Sequence, residues 1–249
     1  MAWSAKSSTA LATSNKSDKL SPDKQTATQL EKQFVLQTAA GALDATWTLP
    51  AGPTIAQYLL AHGAGAHHRH HNMQQIAQAF ARRGILSLRF NFPFMQNGKR
   101  RVDSQAVAVA VIVEAAAAML EQHPALPLVV GGHSFGGRMA SHAVAAGEVN
   151  CQAMVFCSFP LHPARKPSVD RAAHLPDIRQ PMLFLSGTRD DLAAAELLEQ
   201  VVAGLPAATL HRLDTANHSY AVLKRTRQLP VDVFTEMAEE AYGFLQRVF

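Results

Sequence analysis

The stretch VVGGHSFGGRMA, residues 129–140, decides the fold, because a run of apolar β-formers ends there in a serine placed between glycines. The residues LPLVVGG predict a strand, and FGGRMASHAVAA predicts a helix directly after it. Ser134 then stands on the sharp strand-to-helix turn on which a nucleophilic serine is presented. Gly132 and Gly136 leave the steric room that such a strained turn needs. A plain glycine-rich turn is the alternative interpretation.

A nucleophilic serine needs a histidine base and a carboxylate that orients the histidine. On this kind of turn the chain order is Ser, then Asp or Glu, then His. The strand pattern PMLFLSG is followed by Asp190 and Asp191, and the pattern ATLHRL is followed by a polar loop with His218. We predict Asp190 and His218 as the partners. Asp191 could instead cap the next helix, and Asp214 and the strand residue His211 remain as alternatives.

An oxyanion hole is the fourth part that acyl transfer requires. One backbone N–H donor comes from the residue after the nucleophile, here Phe135, and the second comes from the loop after the third strand. That loop reads LLAHGAGAHH, residues 59–68. Ala64 is our candidate for the second donor, with Gly63 and Gly65 as alternatives.

Four residues near the ends of two predicted strands are candidates for substrate contact. His62 follows the third strand, and RFNFPF, residues 89–94, follows the fourth. Ligands of open α/β sheets bind at the carboxyl ends of strands. The candidates are therefore His62, Asn91, Phe92 and Phe94, although aromatic packing of the loop would explain the phenylalanines equally well.

The remaining sequence alternates short apolar runs with longer helical patterns, which predicts a mostly parallel sheet covered by helices on both faces. We predict eight strands, at residues 34–37, 42–49, 54–61, 85–90, 126–131, 152–158, 181–186 and 208–213. Helices are predicted at residues 72–83, 103–122, 135–146, 192–203 and 230–247. The links between the first three strands are too short for crossover helices, so we expect that edge to be antiparallel.

The domain organisation is predicted to be simple. Residues 29–249 suit one α/β domain, and residues 1–28 read as a polar, disordered tail without the apolar core of a secretion signal. The segment of residues 159–180 contains four prolines and has room for one short helix at most. We therefore expect no large lid and an open site.

Composition narrows the function classes. Lys and Arg number 23 against 19 Asp and Glu, a net charge of +4 that is spread along the chain. This small excess, without a basic-aromatic motif, does not favour nucleic-acid binding. The apolar runs, of which residues 106–120 with Glu114 inside are the longest, are interpreted as too short or too interrupted to span a bilayer. We expect a protein of the cytoplasm without nucleic-acid or membrane partners.

The cysteine pattern agrees weakly with that location. Cys151 and Cys157 lie at the two ends of a predicted strand, roughly 20 Å apart. A disulfide requires Cα atoms within about 7 Å, so we expect two unpaired, buried thiols.

Together, the motifs resemble the α/β-hydrolase superfamily. Within it, AHGAGA (61–66), LRFNFPF (88–94), GGHSFGGRMAS (131–141), FLSGTRD (184–190) and NHSY (217–220) are similar to a small branch related to dienelactone hydrolases. That branch includes the testis-expressed protein 30 group and the hydrolase-like domain of the NSL complex subunit 3. The resemblance covers roughly residues 34–249 and implies a triad of Ser134, Asp190 and His218. Dienelactone hydrolases carry cysteine where this chain has serine, so activity on dienelactones is not implied.

The histidine run HHRHH, residues 67–71, has a spacing that permits a metal site, although no Asp, Glu or Cys stands near it. Solvated histidines or contact with substrate are the other interpretations. We expect no metal and no cofactor, because serine-based ester cleavage requires neither.

The sequence thus predicts a serine hydrolase that cleaves a small ester or thioester through an acyl-enzyme. The rival hypothesis keeps the fold without catalysis, as an interaction module whose triad is misaligned. Transfer of the acyl group to an acceptor other than water, and an oligomer formed through the Ala/Val-rich helix, also remain open.

Overall fold

The computed structural model describes residues 30–249, so the predicted tail of residues 1–28 lies outside the described residues. The strands are β1 Leu30–Thr38, β2 Gly41–Leu49, β3 Ala56–Ala61, β4 Ile85–Phe90, β5 Leu128–His133, β6 Ala153–Cys157, β7 Met182–Gly187 and β8 Ala208–Leu213. The α-helices are α1 His71–Ala81, α2 Pro93–Gln96, α3 Gln105–Gln122, α4 Phe135–Ala145, α5 Ala195–Ala203 and α6 Val233–Val248. All eight predicted strands and all five predicted helices are found; the short α2 was not predicted.

The strands form one sheet in the order β1-β2-β4-β3-β5-β6-β7-β8. β1 pairs antiparallel with β2, and β2 pairs antiparallel with β4. Every other neighbouring pair is parallel. Parallel neighbours end at the same edge, so the loops after β3, β5, β7 and β8 meet on one side of the sheet.

The sheet has the predicted antiparallel edge, but its third strand is β4, where the order along the chain suggested β3. β1 and β2 form it as expected, but β3 does not join them, because β4 lies between β2 and β3. The linker of residues 50–55 is long enough to carry the chain past the position that β4 fills. β3 therefore enters the sheet interior, and all six of its residues are buried.

Helices cover both faces of the sheet, in agreement with the predicted fold class. α1 and α6 pack on one face around residues such as Phe80 and Met237, and α3, α4 and α5 pack on the other around Ile112 and Met139. The segment between β6 and β7 contains only two 3₁₀ turns, Asp170–Ala172 and Leu175–Asp177. No large lid covers the site in the described part of the chain.

The helix α3 contradicts one expectation from the sequence, which concerns whether its apolar run could span a membrane. By length and composition this 18-residue helix is apolar enough to cross a membrane, contrary to the expectation that the run is too short or too interrupted. Its apolar character has a second explanation, since Ala108, Ile112 and Met119 are fully buried in the core. The opposite side of the helix includes exposed Val107 and Leu120.

The two cysteines behave as predicted. Cys151 and Cys157 are both free and buried. Burial raises the pKa of each thiol to about 12, so both are protonated at neutral pH. Buried, protonated thiols are poor nucleophiles, which fits a structural role.

Candidate active site

The turn between β5 and α4 has the geometry that the opening motif predicts. Ser134 has φ 51° and ψ −117°, a left-handed conformation that costs energy for any residue except glycine. Its N–H donates to the carbonyl of Cys157 at 3.1 Å. A Cβ on Gly132 would lie 2.2 Å from the carbonyl oxygen of Ala61, and one on Gly136 would lie 2.4 Å from the same atom. Only glycine at both positions allows the turn to sit this close to β3.

The structure brings Ser134, His218 and Asp190 into one chain of hydrogen bonds. His218 Nε2 lies 2.8 Å from Ser134 Oγ. On the other side of the ring, His218 Nδ1 lies 2.9 Å from each carboxylate oxygen of Asp190. Because a carboxylate only accepts, Nδ1 carries a proton and Nε2 is free to accept the serine proton. Ser134 is half-buried, whereas the side chain of Asp190 is fully buried.

The two alternative carboxylates, Asp191 and Asp214, do not take the place of Asp190 beside His218. Asp190 also accepts the N–H of Leu192 at 2.9 Å, which fixes the carboxylate in the turn after β7. Asp191 is exposed, and it does not cap the next helix, since the residue at the N-cap of α5 is Ala194. Asp214 accepts the N–H of Gln228 at 3.0 Å.

The alternative base, His211, takes part in a different cluster. Its Nε2 lies 2.7 Å from Glu236 Oε1, which places the ring between β8 and α6. The hydrogen bond to Glu236 raises the pKa of His211 above its ordinary value. This histidine is therefore a structural partner of α6.

A cavity of about 260 Å³ opens beside Ser134. Its walls come from the loop after β3, from the start of α1 and from the loops that carry the triad: Gly63, Ala64, Gly65, Ala66, His70, Asn72, Met73, His133, Ser134, Leu192, His218 and Ser219. The three predicted oxyanion residues of the β3 loop all line it. In residues 30–249, the N–H groups of Ala64, Gly65 and Phe135 donate to no other protein atom. Ala64 and Gly65 therefore have an N–H group available beside the cavity, whereas Phe135, the other predicted donor, is not among the residues that line it.

The four predicted substrate contacts do not reach this cavity. His62 is fully buried, with Nε2 accepting the N–H of Phe92 at 3.0 Å and Nδ1 lying 2.8 Å from the carbonyl of Gly63. Burial lowers the pKa of His62 to about 3, so the ring is neutral. Both ring nitrogens are occupied, so His62 is a structural residue that ties the β3 loop to the β4 loop.

The other three are structural for similar reasons. Asn91 accepts from the backbone and ring of His68 at 3.0 and 2.9 Å. Phe92 and Phe94 are buried, and their rings lie 5.3 and 6.0 Å from the ring of Phe135. The packing alternative explains these phenylalanines: they support the first residue of α4 from beneath.

The sequence interpretation missed His133, which stands inside the motif between Gly132 and Ser134. Its ring is mostly buried, and Nε2 lies 3.1 Å from the backbone carbonyl of His218. Its position next to the nucleophile was a signal that could have identified it. Asn72 and Leu192, which also line the cavity, carried no such signal.

The histidine run of residues 67–71 is spread over separate contacts. His67 Nδ1 accepts the N–H of Arg69, His68 bonds Asn91, and His70 caps α1 by accepting the N–H of Asn72 at 3.3 Å. Among residues 30–249, no group of three His, Cys, Asp or Glu side chains is placed to hold a metal ion. His70 alone of the run lines the cavity.

The fold and site together define the class of this protein. A mostly parallel eight-stranded sheet, a serine on a strained turn after β5, and an acid and a histidine after β7 and β8 make up the α/β-hydrolase fold. The model of the alpha/beta hydrolase domain family matches residues 54–246. The chain belongs to that family.

Several solved structures share the fold. The dienelactone hydrolase of Anabaena variabilis superimposes with a TM-score of 0.69 and 19% identity, covering 88% of this chain and 98% of that one. An α/β serine hydrolase without a lid from Xanthomonas campestris gives 0.63 and 20%, covering 88% and 93%. The esterase domain of a Rhodothermus marinus protein gives 0.65 and 17%, covering 88% and 100%. At such identities, the likeness establishes the fold.

Proposed function

We propose that this protein is a serine hydrolase that cleaves a carboxylic ester or thioester through an acyl-enzyme intermediate. The observation that carries the proposal is the continuous hydrogen-bond chain from Asp190 through His218 to Ser134, with all three contacts between 2.8 and 2.9 Å. Two of the structurally similar proteins are described as a serine hydrolase and as an esterase domain, which supports the proposal. A misaligned triad would have favoured the silent interaction module.

The proposed reaction follows from the protonation states of the three triad residues. Ser134 Oγ attacks the carbonyl carbon while His218 Nε2 takes its proton, and Asp190 stabilises the resulting imidazolium. His218 then returns the proton to the alcohol or thiol as the bond from this group to the carbonyl carbon breaks, which leaves the acyl group on Ser134. Water repeats the sequence on the acyl-enzyme, releasing the acid and regenerating the serine. No cofactor enters these steps.

The negative charge on the carbonyl oxygen needs fixed donors. Phe135 begins α4, so its N–H has no acceptor inside the helix and lies at the positive end of the helix dipole. We assign it and the N–H of Ala64 as the oxyanion hole, with Gly63 and Gly65 as neighbouring alternatives. One such donor is worth about 10²–10³-fold in rate.

The site is small and uncovered, which favours short or extended substrates over long lipids. The cavity of about 260 Å³ leaves little room beyond a compact acyl group. On the resemblance of its motifs, we propose that the chain belongs to the branch of the testis-expressed protein 30 group, which implies no particular substrate. The two unpaired thiols are consistent with the reducing cytoplasm, which we propose as its location.

The test is intact-mass analysis after reaction with a fluorophosphonate probe, which labels activated serines. We expect one label on the wild type and none on Ser134→Ala or His218→Ala. Asp190→Asn should label about 10⁴-fold more slowly, because an amide facing Nδ1 stabilises the wrong tautomer. The matched control Asp191→Asn changes an exposed neighbour and should label at the wild-type rate.

The outcomes separate the candidate functions. A folded wild type that fails to label would reject the hydrolase and favour the interaction module. If labelling succeeds, a panel of short-chain esters and thioesters follows. Product analysis with added alcohols and amines then distinguishes hydrolysis from acyl transfer to another acceptor.

A further inference from the structure

The loop that carries His218, residues 214–221, is held in a strained conformation. Thr215 has φ 56° and Tyr220 has φ 65°, and neither is glycine. Such backbone geometry persists only when the surroundings impose it. The position of the base in the proposed triad therefore depends on whatever holds this loop.

Two side-chain donors reach consecutive carbonyls at the centre of the loop. His133 Nε2 lies 3.1 Å from the carbonyl oxygen of His218. Asn72 Nδ2 donates to the carbonyl oxygen of Ser219 at 2.9 Å. His133 ends β5 beside the nucleophile, and Asn72 belongs to the first turn of α1. The loop is thus held by two separate elements of the site.

The protonation state of His133 suits this contact. A backbone carbonyl only accepts, so Nε2 must carry the proton. Burial lowers the pKa of His133 to about 4, which keeps the ring neutral at physiological pH. Its ring centroid lies 5.2 Å from that of His218. A neutral ring at this distance does not oppose the positive charge that His218 acquires when it takes the serine proton.

The space around His133 allows little movement. A Cβ on Gly63 would lie 2.7 Å from His133 Nδ1, and the ring of Tyr220 lies 5.5 Å from that of His133. His133 is therefore fixed between the candidate oxyanion loop and the base loop. A fixed donor defines the position of the carbonyl that it binds.

We infer that His133 and Asn72 are positioning residues that clamp the loop of His218 and hold Nε2 within hydrogen-bond reach of Ser134. The consequence for catalysis rests on the proposed function, whereas the clamp itself is a property of the folded chain. Because both donors act on one loop, their effects should be coupled.

The experiment uses the full chain with four variants. His133→Leu and Asn72→Leu each remove one donor, and His133→Gln keeps an N–H near the position of Nε2. Gln75→Leu, on the same helix as Asn72, is the matched control. Hydrogen exchange of residues 214–221 is measured together with kcat, KM and the pH profile on an ester that the wild type cleaves.

We expect faster exchange in residues 214–221 for both donor removals. A displacement of the base by 1 Å should lower kcat by about 10²-fold, with KM little changed. His133→Gln should recover at least a tenfold part of that loss and restore the pH profile. The double variant should lose less than the product of the single losses. Gln75→Leu should match the wild type in every measurement.

Unchanged exchange in both donor removals would overturn the clamp. An equal loss in His133→Leu and His133→Gln would overturn the role of the His133 donor. If His133→Leu does not fold, His133→Gln and Asn72→Leu decide the question. If the wild type has no esterase activity, the proposed function fails, but the exchange measurement still tests the clamp.

Discussion

The close approach of α4 to β3 makes Gly136 the most informative position for testing the site geometry. A Cβ on Gly136 would lie 2.4 and 2.5 Å from the carbonyl oxygen and carbon of Ala61, and 2.6 Å from the carbonyl oxygen of His62. All three are backbone atoms, so no side chain can rotate away. Carbon atoms in contact are normally about 3.5 Å apart, so α4 must move by about 1 Å in Gly136→Ala.

This displacement has two consequences of different size. Overpacking of this kind costs about 1–3 kcal/mol, which the helix preference of alanine offsets by at most about 1 kcal/mol. The resulting net loss of about 0–3 kcal/mol corresponds to a fall in Tm of at most about 12 °C for a domain of this size. The same 1 Å shift moves Ser134 and the N–H of Phe135 away from the substrate, which should slow the reaction about 10²-fold.

The assay measures the second-order rate of fluorophosphonate labelling and the Tm of the same samples. Gly243→Ala is the matched control, because Gly243 lies inside α6 and the nearest atom to its added Cβ is 3.7 Å away. That variant should label at the wild-type rate and be more stable by about 0.5–1 kcal/mol. A Gly136→Ala protein with wild-type Tm and labelling rate would refute the close approach of α4 to β3.

Three further substitutions test contacts that stabilise the fold. His211→Gln should cost more stability near pH 5.5 than near pH 9 in urea unfolding. The pKa of His211 is raised beside Glu236, so the pair stabilises the fold below the ordinary histidine pKa of about 6.5, and this gain is lost as pH rises through the pKa in the folded state. An equal cost at both pH values would contradict the pair. Glu31→Gln should destabilise by about 1–3 kcal/mol, since it weakens the 2.6 Å ion pair of the fully buried Arg89; urea unfolding with no change would argue against it. Phe92→Ala should cost about 3–5 kcal/mol by calorimetry, because its ring is fully buried, and a small loss would mean that the loop repacks.

Strand positions were predictable where apolar runs end at clear turn signals. β4, Ile85–Phe90, and β8, Ala208–Leu213, have the predicted bounds. β5 begins at Leu128, two residues later than predicted, because Pro127 has no N–H to donate to the sheet. It also continues to His133, since Gly132 and His133 still pair with β6. The later end depends on pairing with a neighbouring strand, which local patterns do not describe.

The start of α5 differs for a reason that concerns the site. The helical pattern predicted a beginning at residue 192, but the helix begins at Ala195. Leu192 donates its N–H to Asp190 at 2.9 Å, so this residue serves a turn that holds the carboxylate. A functional turn here replaces the first turn of the helix, although the local sequence favours a helix.

Candidate substrate contacts were the weakest part of the sequence interpretation. His62, Phe92 and Phe94 stand in loops at the correct edge of the sheet, but their side chains point into the core. Which way a loop side chain faces depends on what packs beneath it, and here that is Phe135 at the start of α4. His133, in contrast, has a role only because the loop of His218 folds back over it.

The sequence by itself determined the succession of strands and helices along the chain, the serine on its turn, and the order in which the acid and the histidine follow it. These features depend on spacing over a few residues. Only the tertiary structure decided that β5, β7 and β8 lie close enough to join residues 28 and 84 positions apart in one hydrogen-bond chain. It also decided the walls of the cavity and the support of His218. Such contacts come from strand pairing and packing between distant segments, and no local pattern of residues encodes their distances.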